Sequence, residues 1–357
     1  MPIYTVTTPR ATYPIVAERG CFRTLRDHIP ARIGKVFVVT TRDVWALHES
    51  AVASALSGRE FDVLFFPGSE GRKRMMEVEA LAEQMMALGG DRASIVIGFG
   101  GGIVTDVSGF LAAIFMRAIP VIQIPTTLLA QVDAAIGGKT GVNLTAGKNL
   151  VGSFHQPLAV LVDPAMLETL PEREYRAGLF EVIKHGIIAD PDLFRMMNEQ
   201  PDEVLARAPE IVDRMIWDSV RIKGEVVSGD EREEDRRRIL NFGHTFGHAL
   251  ESETGYTRFL HGEAVGWGMK TAAILGRLEG SCTEADAASI LECICKYGPF
   301  PNWRDLEAER LFARLKSDKK TVKGLVHFVL PVEVGTVKIT AEVAEHHVLA
   351  AIEESLH

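Results

Sequence analysis

Five short runs in the first half of the chain, KVFVVT (35–40), FDVLFF (61–66), SIVIGFG (94–100), PVIQIP (120–125) and LAVLVD (158–163), are apolar at nearly every position. A strand with one wetted face would alternate, so these runs read as strands covered on both faces, as in a parallel sheet between helices. Between two of them, MMEVEALAEQMMALGG (75–90) has apolar residues at helical spacing and ends in Gly-Gly, a helix stop. Residues 1–165 therefore predict an α/β, Rossmann-like nucleotide-binding domain.

After Pro164 the pattern changes. EYRAGLFEVIKHGII, PEIVDRMIWDSVRIKGEVV, HGEAVGWGMKTAAILGRLEG and EADAASILECICKYG are helical patterns, and only LVHFVLPVEVGTVKIT (325–340) reads as a hairpin, with its turn near Pro331 to Gly335. Residues 166–357 predict a mostly α-helical second domain. A chain of 357 residues exceeds the size at which one core keeps growing, so two domains also suit its length. The active site is expected in the cleft between the halves.

A net charge of −9 argues against a general nucleic-acid or anionic-membrane binder, so an anionic ligand must be met by a local cluster of bases. The N-terminus lacks a basic segment followed by an apolar one, no run of eighteen apolar residues occurs, and the chain reads as cytoplasmic. Cys21, Cys282, Cys293 and Cys295 include no C-x-x-C pair and read as reduced, packed thiols.

Several motifs carry chemistry. IVIGFGGGIVTDVSGF places Gly98, Gly100, Gly101 and Gly102 directly after an apolar strand and before a helix, where backbone N–H groups can approach a pyrophosphate. A tight strand-to-helix turn is the bland reading. IGGKTGVN lacks the upstream glycine of a P-loop, since Asp133 stands there, which leaves a Gly-rich loop with Lys139, followed by AGKNLVGSF with Lys148 and Asn149. Lysines in such flexible contexts suit phosphate, although exposed surface lysines are commoner.

In GLFEVIKHGIIAD, Glu181 and Lys184 share a helix face, which alone suggests a surface ion pair. Their apolar neighbours argue instead for burial, where a carboxylate needs a cation. His261 opens the helical pattern of LHGEAVGWGM; with His244 and Glu181 it would complete a His2Glu set with an open position, the arrangement of a catalytic zinc. RRRILNFGHTFGHALE (236–251) reads as one helix that strings Arg237, Asn241, His244 and His248 along a single stripe, so His244 and His248 could also pair on one metal.

GGGIVTDVSGF, IPTTLLAQVDAAIGGKTGVN, GKNLVGSFHQP, LFEVIKHGIIAD, LNFGHTFGHALE, LHGEAVGWGM and the later SDKK together resemble the 3-dehydroquinate synthases, within the sugar-phosphate cyclases, over roughly residues 35–330. The resemblance implies an NAD-binding domain, a helical domain holding zinc or cobalt, and a homodimer. By motif position the metal ligands would be Glu181, His244 and His261, while His248 would contact phosphate. NAD would lie against Asp43, Glu70, Lys73, Gly101, Gly102, Asp106, Thr126, Thr127 and Asp133, with Lys139 and Lys148 close by.

The implied substrate is 3-deoxy-D-arabino-heptulosonate 7-phosphate. Lys139, Asn149, Lys184, Lys223, Glu233, Arg237, Asn241, His248 and the pair Lys319 and Lys320 would surround it, with Arg117 reaching in from the second subunit. The implied sequence is oxidation at C5 by NAD, loss of phosphate, re-reduction, ring opening and aldol closure, a net carbon–oxygen lyase reaction. Asp235-Arg236 replaces the family's frequent Gly-Leu, so Arg236 and Arg238 flank Arg237 as alternatives for the substrate arginine; Thr41 stands where Asp or Asn is frequent, with Asp43 two residues on. Related possibilities are a cyclase of other specificity, such as a 2-epi-5-epi-valiolone synthase, and a metal-dependent polyol dehydrogenase of the same architecture.

Overall fold

The computed structural model describes residues 3–317 and 326–357. The chain divides into two compact units: residues up to Pro171 together with Lys223–Arg232, and Glu172–Ile222 together with Glu233–His357.

The first unit is built on β1 (Ile3–Thr7), β2 (Thr12–Ala17), β3 (Lys35–Thr40), α1 (Arg42–Ala55), β4 (Phe61–Phe65), α2 (Met75–Ala87), β5 (Ser94–Gly100), α3 (Gly102–Ile114), β6 (Val121–Pro125), β7 (Lys139–Leu144), β8 (Gly147–Phe154) and β9 (Ala159–Val162). Its main sheet has the order β1-β2-β9-β6-β5-β3-β4, parallel except for the β1–β2 pair. Alternate residues of the central strands enter opposite cores. Val36, Val38, Ile95 and Ile97 pack with Val52 and Ala55 of α1. Phe37, Val39 and Val96 pack with Leu81 of α2 and Val107 and Leu111 of α3. Burial on both faces is why these strands are apolar throughout.

β3 pairs with β4 on one side and β5 on the other, so the strand order reverses between β3 and β5, and the turns that follow them open at the same sheet edge. Ligands of doubly wound sheets bind at such a reversal. Gly98 keeps α3 close to that edge: a Cβ there would lie 2.3 Å from Gln123 Oε1 and 2.9 Å from Ser108 Cβ on α3.

Two features differ from expectation. The β1–β2 hairpin lies outside the five apolar runs. The glycine-flanked lysine segment is no loop either, because β7 and β8 form an antiparallel hairpin. It tolerates glycine because the strands crowd each other: a Cβ on Gly152 would meet the Thr140 carbonyl oxygen at 2.0 Å, and one on Gly109 of α3 would meet Thr140 Cγ2 at 2.4 Å.

The second unit contains α4 (Glu172–Ala189), α5 (Pro191–Glu199), α6 (Pro201–Leu205), most of α7 (Pro209–Gly229), α8 (His244–Glu253), α9 (His261–Leu278), α10 (Glu284–Lys296), α11 (Ala308–Ser317), the hairpin β10 (Phe328–Glu333) with β11 (Thr336–Thr340), and α12 (Glu345–Leu356). The last residues of α7 and the turn after it, Lys223–Arg232, belong to the first unit. There Gly224 fits against the Tyr4 ring, the Thr7 N–H donates to Ser228 Oγ at 3.2 Å, and Gln156 Nε2 donates to Glu231 Oε1 at 3.0 Å.

Residues 236–251 are not one helix. A 3-10 turn, Arg236–Asn241, ends before Gly243, whose φ of 79° stops the run, and α8 begins at His244. The continuous stripe from Arg237 to His248 therefore breaks at Gly243, and Arg237 belongs to a separate turn. Among the cysteines, Cys21, Cys282 and Cys293 are buried but Cys295 is exposed, so one thiol is not packed. No described helix is long and apolar enough to cross a membrane.

Two stability predictions follow from these contacts. Gly98→Ala should destabilise the first unit by about 1–3 kcal/mol in denaturant unfolding, since helix and sheet must part to admit the methyl group; an unchanged midpoint would refute the close approach. In the second unit, Glu279 Oε1 accepts the Ala344 N–H at 3.0 Å and contacts His347 Nδ1 at 2.8 Å, capping α12. Burial pushes the Glu279 carboxyl up, but the Ala344 N–H and His347 outweigh it and hold it below its ordinary 4.5. A lowered folded value means that its contribution is complete above the unfolded value and is lost as pH falls through the folded one. Glu279→Ala should thus cost about 1 kcal/mol at neutral pH, and the gap from wild type should close in acid; a pH-independent gap would contradict the assignment.

Candidate active site

In the first unit the Gly-rich turn links β5 to α3. Gly101 is the N-cap of α3 and offers no side-chain cap, and its missing Cβ leaves room beside Thr127, whose Cγ2 lies 3.0 Å from where that atom would be. A Cβ on Gly102 would sit 3.1 Å from that of Ala134. The thirteen-residue α3 thus points a bare N-terminus toward the sheet edge, a favourable place for a pyrophosphate. The Thr126 N–H donates to the Gly100 carbonyl at 2.9 Å, fixing the adjoining turn.

Beside it, Thr41, Arg42, Asp43, Phe65, Phe66 and Pro67 line a pocket of about 490 Å³ at the ends of β3 and β4. Arg42 stacks on Phe65, 4.5 Å from the ring centroid. Asp43 is exposed in the first turn of α1.

The turn after β4 and the β7–β8 hairpin form a polar network. Asn143 Nδ2 donates to Glu70 Oε1 at 2.7 Å, Lys148 Nζ lies 4.0 Å from the same oxygen, and the Asn149 N–H donates to Asn143 Oδ1 at 2.8 Å. Lys73, 3% exposed, pairs with Asp106 and donates to Asn149 Oδ1. Burial raises the Asp106 carboxyl above its usual range, while the Lys73 ammonium works in the opposite direction. Asn149 adopts a φ of 52°, and Lys139 opens β7 on the exposed side. Lys223 Nζ donates to the Asp133 carbonyl at 2.7 Å and pairs with its carboxylate. Arg117 is exposed after α3 in a run of three left-handed non-glycine residues, Met116, Arg117 and Ala118, with φ of 49°, 67° and 96°. Such strain costs about 1–3 kcal/mol per residue and concentrates at functional positions.

In the second unit, α4, α8 and α9 bring together Glu181, His244 and His261. Their ligand atoms lie within 4.8 Å of one another. Glu181 Oε1 is 3.6 Å from His244 Nε2 and 3.9 Å from His261 Nε2, and Oε2 pairs with Lys184. Glu181 and Lys184 are 0% and 1% exposed, so this is no surface pair. Among the described residues Glu181 Oε1 receives no hydrogen bond, and a buried carboxylate oxygen facing two imidazole nitrogens is a donor set that fits a divalent cation. The His244 ring is pinned by its other nitrogen, Nδ1, 3.2 Å from the Phe242 carbonyl.

Glycines allow this convergence. A Cβ on Gly262 would lie 1.9 Å from the Ala177 carbonyl oxygen of α4, and one on Gly268 would lie 1.9 Å from the Gly243 carbonyl oxygen at the start of α8. α9 therefore packs backbone to backbone against α4 and against the start of α8. Its first turn is clamped as well: Arg173 donates to both Glu263 oxygens at 2.7 and 2.8 Å, and the Leu260 N–H donates to Glu263 Oε2 at 2.8 Å.

His248 lies one turn beyond His244, with ring centroids 5.6 Å apart, and stacks on His261 at 5.8 Å. Of the three arginines in the 3-10 turn, Arg237 is buried and Arg236 exposed, while Arg238 Nε reaches the Glu233 carbonyl at 3.5 Å. Asn241 Nδ2 donates to Glu233 Oε1 at 2.5 Å, and Glu233 itself has a φ of 63°. Lys319 and Lys320 lie outside the described residues. Two participants escaped the sequence reading: Glu251, whose Oε2 is 3.3 Å from His261 Nδ1, and Arg173. Glu251 had a legible signal, standing seven residues after His244 and three after His248 on the same helix face.

Residues 63–177 match the family described as 3-dehydroquinate synthase N-terminal, and residues 178–321 match 3-dehydroquinate synthase C-terminal. The 3-dehydroquinate synthase of Solibacter usitatus (strain Ellin6076) is 59% identical over 356 residues, covering 100% of both chains. Among solved structures, a 2-deoxy-scyllo-inosose synthase complexed with carbaglucose-6-phosphate, NAD+ and Co2+ superposes with a TM-score of 0.89 at 25% identity over 99% of each chain. The 2-epi-5-epi-valiolone synthase of Streptomyces hygroscopicus subsp. jinggangensis, with NAD+ and Zn2+ bound, gives 0.88 at 28% identity over 98% of each.

The contact between α4 and α9 leads to a prediction. Gly262→Ala must force the two helices apart beside His261, so it should destabilise the second unit by about 1–3 kcal/mol and weaken zinc binding. A variant with wild-type stability and zinc affinity would refute the backbone contact.

Proposed function

The chain belongs to the 3-dehydroquinate synthase family, and from that premise we propose that it converts 3-deoxy-D-arabino-heptulosonate 7-phosphate to 3-dehydroquinate and phosphate, using NAD and a divalent metal. The observation that carries the chemistry is the buried Glu181 carboxylate facing two imidazole nitrogens. The substrate follows from 59% identity to a synthase of that name across the whole chain, against 28% to a 2-epi-5-epi-valiolone synthase. A polyol dehydrogenase reading has no comparable support.

In this proposal Glu181, His244 and His261 hold zinc or cobalt, as the Co2+ and Zn2+ of the two solved neighbours support. Gly101 and Gly102 at the start of α3 would hold NAD, together with Asp43, Glu70, Lys73, Asp106, Thr126, Thr127 and Asp133. When bound, NAD supplies a reversible two-electron oxidation and the metal polarises carbon–oxygen bonds.

The chain's own residues bind and orient. Arg237 presents a fork suited to a carboxylate, while Lys139, Lys184 and Lys223 are compact charges suited to phosphate. Asn149, Asn241 and Glu233 bind hydroxyls, and His248 holds the phosphate so that the departing group can itself accept the proton. Lys319 or Lys320 adds a further charge. The exposed, strained turn at Arg117 suits a residue that serves the second subunit of a homodimer. These bases would meet a substrate that carries both a carboxylate and a phosphate, within a chain of net charge −9, and the enzyme acts in the cytoplasm.

Purified protein with the heptulosonate phosphate, NAD and zinc should release phosphate and form dehydroquinate without net NADH. Turnover of sedoheptulose 7-phosphate in its place, or NADH accumulation from a simple polyol, would overturn the reading. Among variants, His244→Ala should lose the metal, whereas His248→Ala should keep it and lose turnover by about 10²–10⁴-fold. Equal metal loss in both would refute this division of labour.

A further inference from the structure

We propose that Glu251 is a positioning residue: its carboxylate holds His261 so that Nδ1 turns toward Glu251 and Nε2 is presented to Glu181 and His244. This rests on the reading that Glu181, His244 and His261 hold a divalent cation. An imidazole offers either nitrogen to a metal, and the partner of the other nitrogen decides which one. His261 Nδ1 lies 3.3 Å from Glu251 Oε2, while Nε2 lies 3.9 Å from Glu181 Oε1.

The two histidines are held unequally. His244 is 12% exposed and its Nδ1 faces the neutral Phe242 carbonyl. The His261 side chain is 33% exposed at the first position of α9, and it faces a carboxylate that is itself 1% exposed. The ligand less confined by packing thus has the charged partner, which orients the ring and raises its basicity toward a cation. α8 carries both His244 and Glu251, two turns apart, so one rigid helix sets the first ligand directly and the second through Glu251.

His248, Glu251 and His261 also lie within 4.8 Å of one another, which makes direct ligation by Glu251 the competing arrangement. In that arrangement Glu251 would itself be a ligand, and its loss would remove a metal site instead of reorienting His261.

The test is zinc affinity of the full-length apoprotein, by competition with a chromophoric chelator, for wild type, Glu251→Ala, Glu251→Gln and His244→Ala, with zinc counted per chain and the apo fold checked by circular dichroism. Glu251→Ala should bind about 10- to 100-fold more weakly. Glu251→Gln, which keeps the acceptor but loses the charge, should lose less, and wild type and both Glu251 variants should saturate at one zinc per chain. Wild-type affinity in both variants would overturn the proposal, as would two zinc ions per wild-type chain falling to one in Glu251→Ala. If the alanine variant fails to fold, the glutamine variant, close in volume, decides by the same criterion. Wild-type zinc affinity in His244→Ala would remove the metal site itself and the proposal with it, a result distinct from failure at Glu251 alone.

Discussion

A carboxylate with no exposure is among the most expensive groups a protein can bury, and the helical unit is organised around one. Glu181 sits in the middle of α4 between Lys184 and the two imidazoles. Desolvating an ion costs several kcal/mol even after relaxation, and one ammonium offsets only part of that. A cation between Glu181 and the imidazoles would supply the rest. Metal affinity and fold stability are then coupled quantities in this unit, because whatever weakens the cation exposes the cost of the buried charge.

The same demand explains why α9 is rich in glycine where helices usually avoid it. Gly262 and Gly268 forgo helix propensity of roughly 1 kcal/mol each relative to alanine, yet side chains there would collide with the backbones of α4 and the start of α8. Local preference yields to the short separation at which Glu181, His244 and His261 converge from three helices.

The apolar strands could be read from the sequence because burial on both faces leaves an unbroken pattern, and the long helices of the second unit could be read from their periodicity. β1 and β2 escape that criterion because they are not apolar throughout: Val6 is buried between exposed Thr5 and Thr7, the alternation of a strand wetted on one face, and Pro14 interrupts β2. The β7–β8 hairpin was hidden because its glycines serve close packing instead of a turn. The expected stripe from Arg237 to His248 failed at one residue: helix periodicity carries no information about a left-handed Gly243. Glu181, His244 and His261 had a chemical signature in their type, whereas Arg173 and Glu251 contact other side chains, and only the three-dimensional contacts reveal which.

The excursion of Lys223–Arg232 into the first unit has a consequence for how this protein can be divided. Gly224 seats on Tyr4, Ser228 holds the Thr7 N–H, and Lys223 grips Asp133. A gene fragment ending at Pro171 would encode a sheet whose opening strand lacks its contacts with Gly224 and Ser228, and an exon or recombination boundary drawn there would sever a module from its own strap. Inheritance of this first unit is thereby tied to inheritance of the helices among which its last segment lies.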